Sequence, residues 1–169
     1  ALVDAVVDAD AQVMLLPRPR RFGKTLNLSM LRCFLEKTTE DRRALFEGLA
    51  VASSERARPH FQRYPVIFLT FKDVKPASWE HCLQGIARVL AGLYGEHRYL
   101  LTEGSLSAEE ADLFTAILGR RADFSVCSEA LRLLSKLLAE HHGERVVILL
   151  DEYDSPIHAG YTKGYYDDV

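Results

Sequence analysis

Residues 13–36 carry the sequence VMLLPRPRRFGKTLNLSMLRCFLE, and this stretch decides the predicted fold. The apolar run at residues 13–16 ends at a proline, which predicts a short buried strand. After Lys24, apolar side chains recur at helical spacing, which predicts a helix to about Glu36. Between them lies a basic loop, residues 18–25, that ends in Gly-Lys-Thr. The stretch therefore predicts a strand, a loop and a helix in succession.

A Gly-Lys-Thr triplet between a strand and a helix is typical of the phosphate-binding P-loop, GxxxxGK[ST]. Gly23 lets the backbone wrap a phosphate, Lys24 would reach the β and γ phosphates, and the Thr25 hydroxyl would bind Mg²⁺. Backbone amides at the helix start also bind phosphate, aided by the helix dipole. Arg18 stands where the pattern has its first glycine, so either Arg18 tolerates the tight turn or the loop has a different shape. Pro17 and Pro19 are candidates for stiffening it, because each fixes its φ angle. The predicted nucleotide-binding residues are Arg18, Pro19, Arg20, Arg21, Phe22, Gly23, Lys24, Thr25 and Leu26.

A second motif follows a later apolar run. Residues 146–150 read VVILL and are followed by Asp151 and Glu152, which is the Walker B pattern. Asp151 would hold Mg²⁺ together with Thr25, and Glu152 would polarise the water that attacks the γ-phosphate, with Lys24 as the other catalytic residue. The alternative interpretation is a buried strand followed by two solvated acids. Because both motifs follow predicted strands in the right order, we favour a site for ATP with Mg²⁺.

The remaining pattern alternates strands and helices. Residues 65–71 are rich in β-branched and aromatic residues and predict another strand. Ser78 is expected to cap a helix, Ser107 and Glu110 to form a capping box, and Gly143 to end a long helix. Continuously apolar strands favour an α/β fold, with a mainly parallel sheet and helices on both faces. Ligands in such sheets bind at the carboxyl ends of the strands, where both motifs lie.

Composition narrows the class of protein. A chain of 169 residues suits a single domain, and a net charge of −3 gives no global reason to expect nucleic-acid or membrane binding. Three cysteines without a CxxC pair favour reduced thiols in a cytoplasmic protein. No apolar run approaches the ~20 residues of a membrane span. Since the sequence starts at Ala1 without a methionine or a basic leader, we expect it to be a piece of a longer chain.

Two groups of side chains leave alternatives open. Arg18, Arg20 and Arg21 could add charge to the phosphate site, contact nucleic acid or lie in solvent. Tyrosines near the end of the chain could stack on a base or pack against a partner domain; they are Tyr153, Tyr161, Tyr165 and Tyr166. The competing functions are therefore an ATPase, a nucleotide switch or scaffold without hydrolysis, and a nucleic-acid-binding module that uses the arginines. The absence of an NKxD motif weakly favours adenine over guanine.

Together, RPRRFGKTLNLSML at residues 18–31 and LLDEYDSPI at residues 149–157 strongly resemble the prokaryotic AAA-ATPase-like family. The resemblance spans nearly the whole chain, and an arginine at position 18 is part of that family's pattern. It implies a single AAA-type P-loop ATPase domain over residues 1–169, with Gly23, Lys24 and Thr25 in Walker A.

The resemblance also implies partners and a missing part. Members often carry a C-terminal nuclease-like domain of the PD-(D/E)XK type, which nucleotide state would control, so nucleic acid would be contacted only indirectly. Related ATPases often complete their sites between subunits, which implies a homo-oligomer. In related ATPases a further strand lies between those of the two motifs. We therefore expect an incomplete three-layer α/β/α fold here, whose gapped sheet lowers stability.

Overall fold

The computed structural model describes residues 2–7, 13–16, 22–103 and 106–168. Its helices and strands are, in chain order, α1 (Leu2–Val7), α2 (Lys24–Leu35), β1 (Val66–Thr70), α3 (Trp79–Glu96), α4 (Ala108–Leu118), α5 (Phe124–His142), β2 (Val147–Asp151) and α6 (Ser155–Lys163). Short 3-10 helices occupy Arg43–Phe46, Ala50–Ser53, Arg58–His60, Arg98–Leu101 and Tyr166–Asp168. No helix in the described part of the chain is long and apolar enough to cross a membrane.

The two strands form a small parallel sheet, which agrees with the predicted α/β class. At one end the Val147 amide donates to the Pro65 carbonyl, and at the other the Phe71 amide donates to the Asp151 carbonyl, each at 3.0 Å. The chain divides into two units within these strands. The first comprises Ala1–Val66 and Glu144–Leu149, and the second comprises Ile67–Gly143 and Leu150–Val169.

The strand predicted at residues 13–16 is wrong. These four residues have no regular secondary structure, and Val13 and Leu15 are 84% and 63% exposed. An apolar run becomes a strand only where a neighbouring strand pairs with its backbone. The sheet of the described residues contains β1 and β2 alone, so this run has no such neighbour there.

An aromatic cluster forms the core of the first unit. Phe34 of α2 packs edge-to-face against Phe46 and Phe61, with ring centroids 5.2 and 5.1 Å apart. Leu31 and Leu35 of α2 are also buried, as the helical spacing predicted. Burying one stripe of α2 in this cluster holds the helix in place and leaves its first turn at the surface.

Three packed helices make the second unit. α3, α4 and α5 bury Tyr94, Phe114, Leu134 and Leu138, and the rings of Tyr94 and Phe114 lie 4.6 Å apart. Burial raises the pKa of the Tyr94 phenol, whose hydroxyl donates to the Ala130 carbonyl at 2.7 Å. That hydrogen bond satisfies the one polar group that Tyr94 brings into an otherwise apolar interior.

A smaller cluster in the second unit holds α6 against α3. Val74 and Cys82 pack with Ala159 of α6 and with Tyr165, which follows the helix. The Tyr165 hydroxyl donates to the Pro76 carbonyl at 3.2 Å. The sequence pattern did not predict α6, although the order Asp154-Ser155-Pro156 is a usual helix start.

The predicted helix ends are confirmed. The Ser78 hydroxyl accepts from the His81 amide at the start of α3, and Ser107 and Glu110 form a capping box at the start of α4. Gly143 ends α5 in the left-handed region at φ 66°. These ends depend on side chains close in sequence, which is why the sequence alone could place them.

The buried hydroxyl of Tyr94 provides a test of the second core. We expect Tyr94→Phe to lower the free energy of unfolding by about 1 kcal/mol, because one buried hydrogen bond is lost. Phe114→Ala should lower it by about 3–5 kcal/mol through cavity formation. Urea melts measure both. As a matched control, Tyr161→Phe removes a hydroxyl from a ring that is 78% exposed and should change little. Equal losses in the two tyrosine variants would contradict this account.

Acid should weaken the capping box of α4. The Lys136 ammonium, 2.7 Å from a Glu110 oxygen, and the Ser107 amide lower the pKa of Glu110 from 4.5 to about 2. A lowered pKa in the folded state stabilises the fold above pH 4.5, and this contribution is lost as the pH falls towards 2. Thermal melts should therefore show a gap between wild type and Glu110→Gln that closes over this range. Glu109→Gln, at the exposed neighbour, should show no such closing gap.

Candidate functional site

The loop expected to bind phosphate is described from Phe22 onward. Gly23 lies in the left-handed region, at φ 69° and ψ 26°, immediately before α2. The first helical hydrogen bond runs from the Asn27 amide to the Gly23 carbonyl at 2.9 Å. In α-helices generally, the amides of the first turn point towards the helix start and are open to partners outside the helix. The turn at Gly23 and the start of α2 thus have the form that suits an anion.

The side chains predicted to bind nucleotide in this loop differ in their exposure to solvent. Thr25 is exposed and Lys24 is half-buried. Phe22 and Leu26 are 63% and 74% exposed, so neither takes part in the core. The remaining predicted nucleotide-binding residues lie outside the described residues, and their role stays a prediction; they are Arg18, Pro19, Arg20 and Arg21.

Backbone hydrogen bonds fix the far end of α2. The Tyr64 amide donates to the Leu35 carbonyl at 2.9 Å, and the Lys37 amide donates to the Tyr64 carbonyl at 2.7 Å. Glu36 and Tyr64 form a parallel bridge just before β1 begins. These hydrogen bonds attach the last turn of α2 to the segment that enters β1.

Asp151 ends β2, and it is the buried charged residue of the described chain, at 3% exposure. Its carbonyl accepts from the Phe71 amide at the end of β1. Removing a carboxylate from water is costly unless a cation or hydrogen-bond donors compensate it. A carboxylate buried at the carboxyl end of a parallel strand lies where ligands bind in α/β sheets.

Glu152 is exposed and adopts a left-handed backbone conformation at φ 52°, which is uncommon for a residue with a side chain. Its carbonyl accepts from the Ser155 amide at 3.0 Å, and its carboxylate accepts from the Ser155 hydroxyl at 3.2 Å. The turn reverses the chain between β2 and α6. As a result the side chains of Asp151 and Glu152 differ sharply in exposure.

Ser155 is a site residue that the sequence pattern alone did not mark. It is the first residue of α6, and its hydroxyl orients the carboxylate of Glu152. A serine three residues after Glu152, just before Pro156, was the available signal, because this order is usual at a helix start. The structure therefore places the Ser155 hydroxyl against the second of the two predicted acids.

A metal ion bound by Asp151 would need further ligands, such as phosphate oxygens or water. In the part of the chain that the structure describes, no group of three or more His, Cys, Asp or Glu side chains is placed to hold a metal ion. Mg²⁺ needs no such cage, since one or two carboxylates, phosphate oxygens and water satisfy it. The buried carboxylate of Asp151 is an oxygen donor of the kind that Mg²⁺ prefers.

The predicted site residues fall in both units. Gly23, Lys24 and Thr25 belong to the first unit, whereas Asp151 and Glu152 belong to the second. Within its own unit, each group occupies the end of a regular element: the start of α2 in one case and the end of β2 in the other.

Comparison with known proteins identifies the family. No curated protein and no solved structure matches the chain. A family model described as a predicted AAA-ATPase matches residues 1–169, which is the whole chain. The chain therefore belongs to the AAA-ATPase-like family, whose members are predicted AAA-ATPases.

Proposed function

We propose that this chain binds ATP together with Mg²⁺ and hydrolyses it. In this proposal the chain is one AAA-type P-loop domain of three-layer α/β/α architecture, and its nucleotide state controls a partner domain. Lys24 and the amides of the following turn hold the phosphates. Thr25 and Asp151 hold Mg²⁺, and Glu152 activates water.

The burial of Asp151 is the observation that carries the proposal. A plain strand followed by two surface acids would expose both carboxylates to water. Instead Asp151 is 3% exposed while the next carboxylate, that of Glu152, is exposed. A buried carboxylate suits a Mg²⁺ ligand, and an exposed carboxylate suits a base that activates water. Asp151 and Glu152 therefore have the exposures that their proposed roles require.

The conformation of Glu152 also supports the proposal. Sparsely populated backbone conformations cost about 1–3 kcal/mol each and persist where the surroundings impose them, often at functional sites. Here the amide and hydroxyl of Ser155 hold Glu152 in its conformation. An exposed carboxylate held in one orientation is suited to accept a proton from water.

The start of α2 supports the phosphate-binding half. Gly23 has the left-handed conformation that a phosphate loop needs directly before its helix, and Lys24 is the first residue of that helix. The family match over the whole chain adds weight to both halves. Mg²⁺, when bound, neutralises charge on the phosphates, and the side chains orient the nucleotide and the water.

A thermal melt with and without Mg-ATP tests binding. At a ligand concentration of ~100 times Kd, binding should stabilise the wild-type chain by about 2.7 kcal/mol. Lys24→Ala removes the phosphate contact and should abolish most of the shift. Mg²⁺ without nucleotide should give no shift, because the described residues lack a metal cage. Equal shifts in wild type and Lys24→Ala would contradict the assigned loop.

Two glycines offer a matched control for this test. Gly23 and Gly143 both adopt the left-handed conformation, at φ 69° and 66°, with no atom within 4 Å of an added Cβ. Alanine at either position should therefore cost a similar amount, roughly 1–2 kcal/mol. Only Gly23→Ala should also weaken the Mg-ATP shift. A nucleic-acid-binding module would instead show salt-dependent oligonucleotide binding that does not need Lys24.

Hydrolysis is tested by Glu152→Gln. We expect this variant to retain the Mg-ATP melting shift while steady-state phosphate release falls about 10²–10⁴-fold, because the base is lost. Glu140→Gln, at an exposed carboxylate on α5, should leave the rate unchanged. The rates are compared over a range of protein concentrations, because the family resemblance implies a site that a second subunit completes. Full turnover by Glu152→Gln would remove Glu152 from the base role. Binding without any release in wild type would indicate a switch.

A further inference from the structure

We propose that the outward side of α6, with the residues on either side of it, is a docking surface for a protein segment that presents arginine beside apolar side chains. This α6 face is made of Tyr153, Ile157, Tyr161 and Tyr166. It goes beyond the proposed nucleotide site, because none of these side chains has a role in binding phosphate or metal.

Within the second unit, most of the large apolar side chains that are exposed belong to this segment. Tyr153, Ile157, Tyr161 and Tyr166 are 51%, 44%, 78% and 54% exposed. Single exposed apolar residues are ordinary on protein surfaces, but several within one short segment mark an interaction site. All four belong to the second unit, so the surface does not depend on the first.

Helix geometry brings Ile157 and Tyr161 together, and a ring contact adds Tyr166. Ile157 and Tyr161 are four residues apart in α6 and therefore lie on the same side of the helix. The ring of Tyr161 packs edge-to-face against that of Tyr166, with centroids 6.3 Å apart. Paired aromatic rings are large, rigid and amphipathic, and they dominate the energy of many protein interfaces.

The inner side of α6 is buried against the rest of the second unit. Pro156, Ala159 and Gly160 are buried, and Ala159 packs in the cluster that contains Cys82 of α3. The small residues hold the helix close to α3, while the large ones point away from that contact. The outer side chains therefore do not contribute to the core. They project from a helix whose opposite side is packed in place.

Charge around the face selects the kind of partner. Asp154 and Asp167 are exposed carboxylates that adjoin Tyr153 and Tyr166 in the sequence. Lys163 is six residues beyond Ile157, about 240° around the helix, so it lies on a different side. Acidic groups repel the phosphates of a nucleic acid. They attract the guanidinium group of arginine. This group can also stack on a tyrosine ring and donate two parallel hydrogen bonds to one carboxylate.

Fluorescence anisotropy with defined peptides tests the surface in the absence of nucleotide. The probe is a short labelled peptide of repeated Arg-Leu-Gly units, compared with matched peptides that carry lysine or glutamine in place of arginine. We expect the arginine peptide to bind most tightly. Tyr161→Ala combined with Tyr166→Ala should weaken its binding by about tenfold or more, as expected for aromatic hot spots. Asp154→Asn combined with Asp167→Asn, which leaves the rings intact, should weaken it too and reduce its salt dependence.

A matched control comes from the same unit. Phe124 is an aromatic residue on α5 that is 62% exposed, and Phe124→Ala should leave peptide binding unchanged. Unaltered melting temperatures of the tyrosine variants would establish that they fold, since the substituted rings are exposed.

Several outcomes would overturn the proposal. These are no binding of the arginine peptide, equal binding of the lysine peptide, and equal weakening by Phe124→Ala. An oligothymidine that displaces the peptide and depends on Tyr161 would assign the face to nucleic acid. Self-association that depends on Tyr161, without peptide binding, would assign it to a second copy of the chain.

Discussion

Backbone pairing between β1 and β2 is the constraint on which the second unit's site depends. The hydrogen bond from the Phe71 amide to the Asp151 carbonyl fixes the last residue of β2 at the end of the sheet. With its backbone fixed there, Asp151 keeps its carboxylate buried, and the next residue must carry the chain away from the sheet. Glu152 does so in the left-handed conformation, and Ser155 then begins α6. Strand pairing thus determines which acid is buried and where the following helix starts.

Three residues with side chains adopt the left-handed conformation in the described chain, and their surroundings differ. Arg120 follows the last turn of α4, where its amide donates to the Ile117 carbonyl, an ordinary helix ending. Gln62 is held by the Phe34 carbonyl, which its amide contacts beside the core of the first unit. Glu152 directly follows the buried Asp151 at the end of β2, and its carbonyl and carboxylate accept from Ser155 at the start of α6. At all three positions the fold accounts for the backbone conformation, and at Glu152 that conformation also sets the direction of the carboxylate that we propose as the base.

Helix starts and ends could be predicted from the sequence, whereas the pairing of strands that are distant in sequence could not. The capping box at Ser107 and the helix end at Gly143 involve residues within a few positions of each other, so their side chains sufficed for prediction. The same holds for Gly23 and the start of α2. The apolar run at residues 13–16 looked like a strand, but whether a run becomes a strand depends on a distant neighbour. The left-handed turn at Glu152 was hidden for a similar reason, since the end of the sheet imposes it rather than the residue's own preference.

α6 connects the two proposed sites within the second unit. Its first residue, Ser155, orients the carboxylate of Glu152, and two turns later the same helix presents Tyr161 at the surface. If α6 shifted against α3 as one element, a displacement at one end of the helix would reach the other end. A partner that shifted α6 would therefore change the hydrogen bond at Glu152. Linkage is reciprocal: if the partner changed the affinity for nucleotide by some factor, nucleotide would change the affinity for the partner by the same factor. The short turn between β2 and α6 thus offers a direct physical route by which nucleotide state could control a partner.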